Sequence, residues 1–319
     1  MAEALTQGSP ELHPGGIAPI TRREECKHRL LASFTMPEPA PTPEVIRLTQ
    51  PLADLAAWTA CFRDANIPVL ADTADALEAM REREDDVDAN LIGEMIADDP
   101  LMTLKVMAYG ARNRPARVVT EPETVTSTLV MMGISPFFRA FGPQPVLEDL
   151  LADRPEALAG LEQVLRRARR AANFALSFAV HRFDPDAAII HQAALLHDFA
   201  EMLLWCHAPD LALAIRDAQR ADPTLRSSTE QRKTLHVDLL DLQHALMLEW
   251  HLPDLLVRIT DDKQAKHPNV QCVTLGVRLA RHTAAGWDNA AIPDDVEDVA
   301  HLLNLSTAAT LSLLHGLDG

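Results

Sequence analysis

The run Ala193-Ala194-Leu195-Leu196-His197-Asp198-Phe199-Ala200-Glu201-Met202-Leu203-Leu204 sets an adjacent His–Asp pair in an otherwise apolar helical pattern. Burying an unpaired carboxylate is costly. The pair must therefore be hydrogen-bonded, hold a metal or face a cavity. A neutral imidazole and a carboxylate can together hold a cation that activates water against a phosphate ester. Neighbours on a helix point about 100° apart, so His197 and Asp198 share a metal only if further ligands arrive from other helices.

Few such ligands stand out. None of the thirteen histidines forms an H-x-x-x-H pair, and Cys26, Cys61, Cys206 and Cys272 lie far apart without C-x-x-C spacing, reading as free thiols of a reducing cytosol. His191 lies six residues before His197, roughly 120° away on an ideal helix, and Asp261-Asp262 follow at a helix end. Neither is at ligand spacing.

The surrounding pattern is helical. Leu52, Leu55, Ala56, Trp58 and Phe62 fall at i, i+3, i+4 spacing, as do Leu91, Ile92, Met95, Ile96 and then Leu101, Leu104, Met107. Asp99-Pro100, Ser135-Pro136, Asp184-Pro185, Ala208-Pro209 and Leu252-Pro253 mark starts, because proline in the first helical position gives up no hydrogen bond. Further helices are predicted over about 155–181, 185–206, 209–221, 228–250, 253–261, 269–285, 294–303 and 307–314. Aromatic residues make up only 4% of the chain and no segment alternates with a period of two, so the fold class is all-α. Met95, Met102, Met107, Met131 and Met132 read as core filler. The acidic run 82–88 reads as the solvated cap of a helix start.

Residues 1–49 form a proline-containing arm and linker, with a short helix expected over 22–34 and extended backbone at Pro37, Pro39, Pro41 and Pro43. Breaks at Gly142-Pro143-Gln144-Pro145 and Asp153-Arg154-Pro155 suggest a helical subdomain over 50–150 and a bundle over 151–319. A formal charge of −17 argues against direct nucleic-acid binding. Apolar stretches are cut by charge well before about 20 residues, so no membrane partner is expected and the chain reads as cytoplasmic.

Around Leu195-Leu196-His197-Asp198 the chain resembles the HD superfamily, whose core is a helical bundle with a His…His-Asp…Asp metal site. Three segments narrow the likeness to the HDOD branch: 90–109, with its Ile96-Ala97-Asp98-Asp99-Pro100-Leu101 start; 125–141, with the Met131-Met132-Gly133-Ile134 turn; and Trp250-His251-Leu252-Pro253. The resemblance spans about 66–285. It implies an HD-like bundle preceded by a smaller helical subdomain, and a signalling or regulatory protein.

The metal set of the superfamily does not carry over residue by residue. Arg169-Arg170-Ala171-Ala172-Asn173 holds no histidine where the upstream ligand belongs, and Val277 takes the place of the closing aspartate. Ala200-Glu201 stands where catalytic relatives have Gly-Lys. One imidazole and one carboxylate leave a divalent ion mostly hydrated. The expectation is a vestigial His197–Asp198 pair, no catalytic residue, no cofactor and no metal; a metal, if held, would need partners beyond these two. Arg166, Arg167, Arg169 and Arg170 cluster where the histidine is missing, and Arg166, Arg169 and Arg170 are candidates for anion binding, with a nucleotide as the possible ligand. The expected role is non-enzymatic signal transduction through an unidentified protein partner or small-ligand sensing. The alternative is a metal-dependent phosphohydrolase of nucleotides or cyclic dinucleotides with a rearranged ligand set.

Overall fold

The computed structural model describes residues 47–114, 121–222, 224–261 and 266–318, all within one unit, and among them no strand forms. The expected helix over 22–34, the prolines 37–43 and Cys26 lie outside the described residues. The chain opens with α1 (Leu55–Arg63), α2 (Ala71–Arg81), α3 (Ala89–Ile96), α4 (Pro100–Arg112), α5 (Val125–Met132), α6 (Ile134–Ala140) and α7 (Leu147–Leu150). A 27-residue helix follows, α8 (Pro155–His181), about 40 Å long. After it come α9 (Ala187–Leu195), α10 (Phe199–His207), α11 (Pro209–Ala221), α12 (Ser227–Leu235), α13 (Leu239–Glu249), α14 (Asp254–Ile259), α15 (Pro268–His282), α16 (Ile292–Leu303) and α17 (Thr307–Asp318).

Local chemistry explains the starts. Asp99 is buried, its side chain accepting from the N–H groups of Leu101 at 2.9 Å and Met102 at 3.0 Å while Pro100 occupies the first helical position. Its second oxygen accepts from Leu70 N–H at 3.0 Å, which fixes the entry to α2. Asp88 caps α3 through Leu91 N–H at 2.8 Å, and Thr124 with Ser127 forms a reciprocal capping box on α5. The acidic run before Asp88 makes a short 3-10 turn over Glu84–Asp86.

The end of α8 is equally defined. Phe183 adopts a left-handed backbone (φ 54°), and Asp184 N–H reaches back to the Ala179 carbonyl at 2.9 Å. The α8 face carrying Ala168, Ala171, Ala172, Ala175 and Ala179 is buried, and α15 packs on it at close range. A Cβ added at Gly276 of α15 would lie 2.8 Å from the Ala171 carbonyl oxygen and 3.1 Å from Ala175 N. Glycine is what lets these two backbones meet. Similarly, Gly160 of α8 leaves room for the Trp205 ring of α10, 2.4 Å from where a Cβ would sit.

α8 also packs against α9, α10, α11, α16 and α17 and is the axis of the fold. The first helices are bound into the same core. The Trp58 indole N–H donates to the Leu235 carbonyl at 2.9 Å, so α1 holds the end of α12, and Gln192 of α9 accepts from Val125 N–H at 3.0 Å. One apolar cluster runs from Trp58 to Leu314 without a break. Ser306 accepts from Ala309 N–H at 3.3 Å at the start of α17, and the helix predicted over 307–314 extends to Asp318.

Candidate functional site: a carboxylate held by two guanidinium groups

The helix predicted over 185–206 is in fact two. The chain turns over 196–198, with His197 N–H reaching the Ala194 carbonyl at 3.3 Å, and restarts as α10 with Asp198 at its N-cap (φ −112°, ψ 24°). The predicted 228–250 helix also divides, at His236 (φ 65°), into α12 and α13. The first break has a chemical reason. On a continuous helix His197 and Asp198 would diverge by about 100°. In the turn His197 Nδ1 comes to 3.0 Å from Asp198 Oδ1.

Asp198 does not cap α10 with its side chain; guanidinium groups claim it instead. Arg167 of α8 donates from Nη2 to Asp198 Oδ2 at 3.0 Å and from Nε to the same oxygen at 3.2 Å. The same Nη2 meets Glu201 Oε2 at 2.6 Å. From α15, Arg281 Nη2 donates to Asp198 Oδ1 at 2.6 Å. Burial pushes the Asp198 carboxyl upward, but Arg281, Arg167 and the His197 hydrogen bond outweigh it and hold the group well below the usual carboxylate range. For Arg167 burial likewise works against the charge, and Glu201 and Asp198 reverse it, raising the guanidinium above its ordinary value.

This network faces a cavity of about 600 Å³. His197, Asp198, Glu201, Arg167 and Arg281 line it, together with Trp205 and residues of α11, α12 and α13. Of the four clustered arginines, the structure brings Arg167 to the pair and places the other three elsewhere. Arg166 is exposed and lies 3.6 Å from Glu162. Arg169 donates to the Asp98 carbonyl at 2.6 Å, and Arg170 to Thr283 Oγ1 at 2.7 Å, its guanidinium 5.8 Å from the Phe174 ring centre. Four residues of one helix turn point in four directions, and only one reaches the cavity. His191 is not among the lining groups, and Asp262 lies outside the described residues.

Two members of the network are absent from the sequence expectation, Arg281 and Glu201. Both carried a signal. Arg281 is one helical turn beyond Val277, the position of the expected closing ligand, and so shares its face. Glu201 is an acid within the apolar run, three residues after Asp198, and needed a cation.

The residues present do not fit a divalent cation. Both oxygens of Asp198 are engaged by guanidinium groups, Val277 is a buried hydrocarbon, and among the described residues no group of three or more His, Cys, Asp or Glu converges. Arg167 Nη2 stands between the Asp198 and Glu201 carboxylates, where a bridging cation would have to be.

An all-α bundle with a His–Asp pair at a helix break, opposed by α8 and α15, defines an HD-type helical protein. The HDOD domain model matches residues 67–266, and the chain belongs to that family. No curated protein matches the chain. Among solved structures, the fold is similar to the MmoQ response regulator of Methylococcus capsulatus str. Bath, at a TM-score of 0.60 and 17% identity, over 79% of this chain and 99% of that one. It is also similar to a virulence factor of Campylobacter jejuni subsp. jejuni, at a TM-score of 0.56 and 15% identity, over 82% and 94% of the two chains.

Proposed function

We propose that this chain is a non-enzymatic signal-transduction protein that acts through contacts with a protein partner or by sensing a small ligand in its cavity. The observation that carries the reading is the Asp198 carboxylate, held by Arg167 and Arg281 and already neutralised by the protein's own cations. A carboxylate so placed is a weak metal ligand and a weak base, because coordination or protonation must first displace a charge-assisted hydrogen bond. Family membership and the similarity to a structure described as a response regulator support a signalling role. The chain's charge of −17 disfavours a nucleic-acid partner, and no described helix is long and apolar enough to cross a membrane, which fits a cytoplasmic setting. In this reading the 50–150 region and the 151–319 bundle serve as the two halves of one module.

The test measures bound metal in the purified protein and turnover of bis(p-nitrophenyl) phosphate with added manganese. Substoichiometric metal and no turnover are expected. Stoichiometric metal with turnover lost in His197→Ala would establish the phosphohydrolase alternative and end the signalling reading.

A further inference from the structure

A second histidine–carboxylate pair ties α15 to α16, and neither of its members lines the cavity. His282 is the last residue of α15, and its Nδ1 lies 2.5 Å from Oδ2 of Asp295, in the first turn of α16. The Asp295 side chain is only 4% exposed, that of His282 32%. A carboxylate only accepts hydrogen bonds, so Nδ1 is the donor. The neutral ring then carries its lone pair on Nε2, on the edge turned away from the buried carboxylate. Among the described residues, Asp295 is the one side chain bonded to His282.

Charge balance does not require this histidine. Arg278, one turn earlier on α15, places Nε 2.7 Å from Asp295 Oδ1 and pairs Nη2 with Asp298. The buried carboxylate already has its cation, and the imidazole serves it as a neutral donor. What the pair builds is a ring fixed in one tautomer by a buried acid, with its other nitrogen open, an arrangement that activates bases and nucleophiles. A base needs a hydroxyl or thiol to deprotonate. The adjacent hydroxyl, Thr283, is instead taken up by the Leu279 carbonyl at 2.8 Å and by Arg170 at 2.7 Å. A metal site needs further ligands, and among the described residues no three His, Cys, Asp or Glu converge. What is left is the nucleophilicity of the ring nitrogen itself.

We infer that His282 is a phosphoacceptor, taking a phosphoryl group on Nε2 from a donor with an N–P bond. The Nε2 lone pair attacks phosphorus, the N–P bond breaks with its electron pair going to an already protonated nitrogen, and that nitrogen departs as a neutral amine. The ring becomes a phosphoimidazolium, and Asp295 stabilises the positive charge created on it. Arg278 keeps Nη1 uncommitted to either acid, one turn from the new phosphate. The inference rests on the signalling reading, to which it supplies a covalent input. The next residue back, Arg281, holds Asp198, so the new charge enters beside the His–Asp network.

Incubation of the full chain with potassium phosphoramidate at neutral pH, followed by phosphorus NMR and mass-spectrometric site mapping, tests it. An acid-labile phosphoryl group is expected on His282 Nε2. It should form about tenfold or more faster than on His301, whose side chain is 80% exposed and whose Nε2 lies 3.8 Å from Glu297. His282→Gln should abolish it. Asp295 is a positioning residue: in Asp295→Asn, shown to be folded by circular dichroism, the His282 rate should fall to that of His301. Nitrogen NMR of the wild-type ring gives a reading that needs no variant, a protonated Nδ1 and a bare Nε2. Labelling of His282 no faster than of His301, or a neutral ring protonated at Nε2, overturns the phosphoacceptor while the signalling reading stands. Phosphodiester turnover in the metal assay would instead end the signalling reading and leave the selectivity at His282 as it was.

Discussion

Replacing Arg167 with methionine keeps most of the side-chain volume on α8 and removes the cation between Asp198 and Glu201. Three donor contacts disappear: two to Asp198 Oδ2, at 3.0 and 3.2 Å, and one to Glu201 at 2.6 Å. A hydrogen bond to a charged group contributes about 1.5–3 kcal/mol, and removing one member of a buried ion pair typically costs about 3–5 kcal/mol. The side chains are 21%, 9% and 30% exposed for Arg167, Asp198 and Glu201, so solvent screening trims the figure only modestly. Asp198 also keeps Arg281 and His197. A loss of about 3 kcal/mol is therefore expected in urea unfolding at neutral pH.

The loss should be smaller when the charge it leaves behind is removed too. In a cycle with Asp198→Asn, the two changes should couple by about 1–3 kcal/mol. The pH profile gives a second measure. Asp198 titrates lower in the folded chain than in the unfolded one, so its contribution is complete above the unfolded value, about pH 4, and is lost as pH falls towards the folded value. Without Arg167 the folded carboxyl rises, and the drop in stability between pH 5 and pH 2 should shrink. A destabilisation under about 1 kcal/mol, or strict additivity of the two substitutions, would refute the view that Arg167 is the resident cation of this site.

Two further outcomes test the fold. Lys105 is half-buried with its ammonium on neutral acceptors, Asn66 Oδ1 at 3.3 Å, the Ile67 carbonyl at 2.8 Å and Gln144 Oε1 at 2.6 Å; desolvation pushes it down to about 8, against a smaller opposing pull from Asp99. The unfolded chain then holds more protons than the folded one from about pH 8 to 10.5, so stability relative to Lys105→Met should rise with pH across that window, by up to about 3 kcal/mol; a flat difference in urea midpoints would contradict this. Gly276→Ala, whose added carbon meets the α8 backbone, should lower stability by about 1–3 kcal/mol, whereas Gly316→Ala on α17, with nothing within 4 Å, should raise it by up to about 1 kcal/mol; equal signs in thermal melts would show that α8 and α15 are not locked at that contact.

The sequence alone determined the class of fold and most of its helices. Spacing of apolar residues and an Asp-Pro start are local properties: Asp99-Pro100 needs only its own backbone to open α4, whereas Ser135-Pro136, read as a start, lies inside α6, which begins at Ile134. The need for a partner at His197–Asp198 was also legible, because charge in an apolar run must be compensated wherever it folds. Tertiary structure alone decided which partner. The cations that hold Asp198 at the 196–198 turn are Arg167 and Arg281, which lie 31 and 83 residues from it in sequence. Likewise, which of four neighbouring arginines enters the cavity depends on the roll of α8 against α15, set by the close approach at Gly276. Periodicity shows that a helix has faces; only packing fixes what each face meets.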